Sequence, residues 1–129
     1  GSIPLQLDEV FKDTSNTTPI IFILSTGADP TGILQRFGER VDRKPGERLH
    51  IISLGQGQGP IAEMLVSKSR KTGDWVCLQN CHLASSWMQT MERIIEKFQS
   101  EASEIHPEFR LWLTSFPCKE FPVPVLQVD

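Results

Sequence analysis

The chain has 129 residues, of which 39% are apolar and 22% charged, with a net charge of -3. One domain of this length buries about two thirds of the surface its unfolded chain exposes, so the core can stand without disulfides or metal. The charge balance argues against disorder and against a surface built for a polyanion, so neither nucleic acid nor membrane is expected as a partner. Three cysteines, with no signal peptide and no apolar run of about eighteen residues, read as reduced thiols in a cytosolic protein.

Gly1 and Ser2 read as a cloning scar, and the end after a strand-like FPVPVLQ fits a fragment of something larger. Residues 3–18 mix Leu5, Leu7, Val10 and Phe11 with a polar DTSNTT tract, a short lead-in helix and then a loop. Residues 19–129 form the domain proper. There, short apolar runs alternate with segments of helical period, the pattern of βαβ units around a parallel sheet. PIIFILS (Pro19 to Ser25), LHIISL (Leu49 to Leu54), DWVCLQ (Asp74 to Gln79) and FRLWLTS (Phe109 to Ser115) read as buried strands. FPVPVLQ is a fifth, with Pro122 and Pro124 suited to a strand start or an edge.

The helices between them are punctuated. Asp29 is a natural N-cap before Pro30, with Ile33, Leu34, Phe37 and Val41 on one face. The next begins at Gly59 and Pro60, places Glu63 in its first turn and Lys68, Arg70 and Lys71 in its last, and stops at Gly73. A further helix starts at Ser86 with Gln89 as a capping-box partner. It carries Trp87, Met88, Met91, Ile94, Ile95 and Phe98 along one core-facing stripe.

The chemistry turns on a phosphate-loop frame. Gly27 and Gly32 have the glycine spacing of a P-loop between strand and helix, but Ile33 and Leu34 stand where lysine and a hydroxyl residue belong. Pro30 has no N–H to aim at an anion, and Asp29 would place a carboxylate beside the phosphates. Gln79 and Asn80 end the third strand where acidic residues would hold magnesium and polarise water; they supply neither ligand nor base. No catalytic residue, cofactor or metal is therefore expected.

LGQGQGP, with Gly55, Gly57 and Gly59, imitates a dinucleotide fingerprint, yet Pro60 occupies a glycine position and Gln79 replaces the distal acid. It reads as a mobile loop or a packing point for another module. Cys77, Cys81 and His82 invite a zinc reading that lacks a second ligand pair, and Cys118 stands alone.

ISLGQGQGPIAE (Ile52 to Glu63), WVCLQNCHLASSWM (Trp75 to Met88) and HPEFRLWLTS (His106 to Ser115) closely resemble the dynein heavy chain, as does FILSTGADP (Phe22 to Pro30). The region resembled is the large subdomain of the sixth AAA+ module in the C-terminal motor, over about Pro19 to Gln127. LQNCHLA followed by SWM is more similar to axonemal than to cytoplasmic dyneins. The resemblance implies an α/β fold, a three-layer αβα sandwich with a five-stranded, mainly parallel sheet ordered five, one, four, three, two. It also implies a module that binds no nucleotide, with hydrolysis and microtubule grip lying elsewhere in the parent heavy chain. The implied partners are neighbouring AAA+ modules and the C-terminal region of the same chain, with other dynein subunits and microtubules reached only through the parent, in a ciliary or flagellar axoneme. FPCKEF offers only Lys119 where such modules present an arginine to a neighbour. The rival readings are an active nucleotide-binding domain with an unorthodox phosphate loop and a free-standing adaptor.

Overall fold

The computed structural model describes residues 3–23, 29–116 and 126–128. Helix α1 (Ile3–Lys12) leads into strand β1 (Ile20–Ile23) and helix α2 (Pro30–Arg40). Then follow β2 (Leu49–Ser53), α3 (Gly59–Thr72), β3 (Trp75–Gln79), α4 (Met88–Ser100), β4 (Arg110–Ser115) and β5 (Leu126–Val128). The sheet order is β2-β3-β4-β1-β5, and each pairing between described strands is parallel. This is the order the family resemblance implies. Four of the strands coincide with the apolar runs read from the sequence. Of the fifth run, only Leu126 and Gln127 fall among the described residues, where they pair with Ile20 and Ile21.

Strands buried on both faces must be apolar at nearly every position, and alternate side chains then feed two separate cores. In β3, Trp75 and Cys77 join Leu7, Phe22, Leu34, Phe37 and Trp112 on the side of α1 and α2. Val76 and Leu78 face Val66, Met91, Ile95 and Phe98 from α3 and α4. The result is three layers, with helices on both faces of the sheet. The first core is aromatic, with Trp75 and Trp112 centroids 5.2 Å apart and Phe11 5.2 Å from Phe37. Each such side chain taken fully out of water contributes about 1.5–3 kcal/mol. Leu7 is fully buried, so α1 closes this core as well as leading into β1.

Two helix boundaries differ from the sequence expectation. Helix α4 starts at Met88, not Ser86, and Trp87 precedes it with no side-chain cap, so the Ser86–Gln89 capping box is not formed. Ser86 lies instead in a 3₁₀ turn, Ser85–Trp87. Packing explains this, because the Trp87 indole is seated on Gly59, where a Cβ would lie 2.6 Å from the ring. In α3, Glu63 falls beyond the first turn and Lys68 before the last, leaving Arg70 and Lys71 at the carboxyl end. Gly73 ends α3 as expected, in the left-handed conformation at φ 84°, with its N–H bonded to Ser69 O.

Candidate functional site at the carboxyl edge of the sheet

In open α/β sheets, ligands bind outside the carboxyl ends of the strands. Here that edge gathers Ser53 from β2, Gln79 and Asn80 from β3, Thr114 and Ser115 from β4, and the first turn of α2. Gly27 lies outside the described residues, whereas Gly32, Ile33, Leu34, Gln79 and Asn80 are all placed.

Asp29 caps α2, and its Oδ1 accepts the Gly32 N–H at 3.1 Å. Pro30 follows as the first helical residue and brings no N–H. The free amides at a helix start are what make it attractive to an anion, and here a carboxylate from the chain already takes one. Gly32 has a clear local reason, since a Cβ there would meet Asp29 Oδ2 at 2.2 Å. Leu34, at the hydroxyl position of the frame, is fully buried in the aromatic core, and Ile33 packs against the same core. Leu34 is thus committed to the core, and Ile33 to it in part.

The strand ends are tied together by neutral groups. Gln79 Nε2 donates to Thr31 Oγ1 at 2.6 Å, joining the end of β3 to the first turn of α2. Asn80 adopts a left-handed conformation at φ 60°, its N–H reaches Thr114 Oγ1 at 3.1 Å, and its Nδ2 donates to Ser53 Oγ at 2.9 Å. Thr114 is 2% exposed, so this hydroxyl works in a nearly dry setting. Such bonds contribute about 1 kcal/mol each, more where loss would leave a buried group unpaired. The sequence reading singled out Gln79 and Asn80 but missed Thr31, Ser53 and Thr114. Their signal was a hydroxyl residue near the end of the runs LHIISL and FRLWLTS and one in the first helical turn of α2.

The glycine loop stands beside this edge. Gln56 and Gly57 have φ of 47° and 78°, and the Gln58 N–H closes a turn onto Gly55 O at 3.1 Å. Between this loop and Leu83, Ser86 and Trp87 is a cavity of about 190 Å³. Leu83 is 60% and Phe116 50% exposed at the same end of the molecule. Cys77, Cys81 and His82, for which no metal is expected, go to separate surroundings. Cys77 is buried in one core, where burial, and secondarily Cys81, pushes its thiol up to about 12. Cys81 is buried in the other core, on the far side of the sheet. His82 uses Nδ1 to accept the Phe116 N–H at 3.3 Å. Cys118 and Lys119 lie outside the described residues.

Comparison with known proteins agrees with this architecture. The family described as "Dynein heavy chain region D6 P-loop domain" matches residues 15–128. Human dynein axonemal heavy chain 6 is 53% identical over 126 residues, 96% of this chain. Human dynein axonemal heavy chain 1 is 51% identical over 121 residues, 94% of the chain, and mouse dynein axonemal heavy chain 12 is 48% identical over 124 residues, 96% of it. The chain spans only 3–4% of the length of these relatives.

Proposed function

The chain belongs to the dynein heavy chain family, as its D6 P-loop domain, and from that premise we propose that it is a non-catalytic structural module of an axonemal motor ring. In this reading it is the large subdomain of the sixth AAA+ module, held between neighbouring modules and the C-terminal region of the same heavy chain. The parent hydrolyses ATP in other modules and grips microtubules elsewhere, driving movement in cilia and flagella, and this module passes shape changes around the ring.

One observation carries the non-catalytic part of the proposal. Where a nucleotide's phosphates would approach the start of α2, the chain's own groups already take up polar partners: Asp29 on the Gly32 amide, and Gln79 on Thr31. Binding there would require breaking both contacts and bringing phosphate charge beside the Asp29 carboxylate, without a lysine to offset it. Leu83 and Phe116, together with Ile61 and Met64 on α3, leave apolar surface for neighbouring modules to cover.

Thermal unfolding with and without Mg-ATP tests the reading. A site filled to about 100 times its Kd would add about 2.7 kcal/mol of stability, a rise of several degrees in Tm for a domain this size. The expected outcome at millimolar Mg-ATP is a Tm unchanged within about 1 °C. A dose-dependent rise would favour the rival, an active domain with an unorthodox phosphate loop.

A further inference from the structure

The amino edge of the sheet, opposite the strand ends described above, holds a cavity of about 320 Å³. That is within the range of small-ligand sites, about 300–1,000 Å³. Phe11, Val41 and Trp75 form its apolar wall, and Arg43, Arg110 and Glu108 its polar one.

The charges there do not balance. The Arg43 side chain is 7% exposed; Nη2 pairs with Glu108, Nη1 donates to Asp42 O at 2.9 Å, and the buried Nε–H has no acceptor among the described residues. Arg110 sets its guanidinium 5.3 Å from the centroid of the Phe11 ring. Among the described residues its hydrogen bonds go to neutral oxygens: Thr14 Oγ1 at 2.8 Å, Pro107 O at 3.0 Å and Phe109 O at 2.8 Å. Burial loosens the Arg110 proton, the Glu108 charge works against that, and the Arg43 charge adds to it. Two guanidinium groups thus share one carboxylate, whose own side chain is 63% exposed. Buried charge is costly unless it is paired, and an unanswered buried N–H adds to that cost.

We propose that this cavity binds a carboxylate carried on an apolar or aromatic arm, with the carboxylate held by Arg110 and Arg43 and the arm against Phe11, Val41 and Trp75. A single negative charge matches the excess. A phosphate dianion would overshoot it and meet Glu108, and the aromatic wall suits a hydrocarbon arm better than a sugar or a hydrated ion. The carboxylate can come from a free small acid or from an acidic side chain of another protein segment.

Titrating the isotope-labelled chain with phenylacetate, with 2-phenylethanol as the uncharged control, tests this. The expected result is saturable shifts of the Trp75 indole and the Arg43 and Arg110 Nε–H signals at millimolar ligand, with binding of the alcohol weaker by about tenfold or more. Arg110→Gln should lose phenylacetate binding by a similar factor. Should that variant lose its dispersed spectrum, the unaltered chain still decides, because the acid's affinity must fall with added salt while the alcohol's does not. Acetyl-Glu-Phe-amide separates the sources: tighter binding than phenylacetate assigns the site to a protein segment, weaker binding to a small acid. Equal shifts from acid and alcohol, or none from the acid at roughly 10 mM, would overturn the proposal and leave Arg43 and Arg110 as structural ties.

Discussion

At the tip of α2 a carboxylate of the chain itself takes a donor of the kind that helix starts offer to anions. Asp29 accepts the Gly32 N–H and so satisfies one of the donors that every helix start leaves open. Replacing it with alanine should cost about 1 kcal/mol, the usual worth of an N-cap, measurable as a shift in the urea midpoint with an unchanged slope. Asp74 gives a pH-dependent counterpart at the other edge. Burial alone would push its carboxyl up, but the bonds from His50 at 2.9 Å and Arg48 at 2.7 Å, with their charges, hold it below the ordinary value of 3.8. A carboxyl depressed in the folded state stabilises the fold above its unfolded value and loses that contribution as pH falls through the folded one. Urea midpoints should therefore drop more steeply between about pH 5 and pH 2 for the unaltered chain than for Asp74→Asn. Parallel pH curves would show that the Asp74 contacts contribute nothing.

Among the elements, legibility followed the range of the forces involved. WVCLQ reads as a strand because both faces of β3 are buried, and the stop at Gly73 reads because a left-handed residue favours glycine. The start of α4 was misread for a tertiary reason: Trp87 is fixed on Gly59, more than one element away, and that contact outranks the Ser86–Gln89 cap. The ties from Gln79 to Thr31 and from Asn80 to Ser53 and Thr114 also escape sequence reading, since they depend on the fold bringing the ends of β2, β3 and β4 and the start of α2 together. The glycine loop should differ sharply from its neighbours in dynamics. Hydrogen exchange at Gln56 to Gln58, held by one turn bond, should run at least about a hundredfold faster than in Val76 to Leu78 of β3, which is paired on both sides. Protection at Gln56 to Gln58 equal to that of β3 would remove the loop from the moving parts.

The described residues form a sheet between two cores, with one edge tied by hydrogen bonds between neutral groups and the opposite edge carrying Arg43, Arg110 and Glu108 around one cavity. In the proposed non-catalytic role, what the chain shares with a P-loop fold is the parallel strand order and the capped start of α2 beside the strand ends. The missing lysine and acids were visible in the sequence at Ile33, Leu34, Gln79 and Asn80. That Leu34 is turned into the core and Gln79 bonded across to Thr31 became visible only with the fold. The apolar surface at Leu83, Phe116, Ile61 and Met64 fits a piece that is completed by its neighbours in a ring. The measurement that tests the central claim most directly is a Mg-ATP titration read at the backbone amides of Thr31 to Leu34 and the side-chain amide of Gln79. The account predicts no saturable shift at any of them up to millimolar nucleotide. Saturable shifts centred on these groups at micromolar Mg-ATP would contradict it.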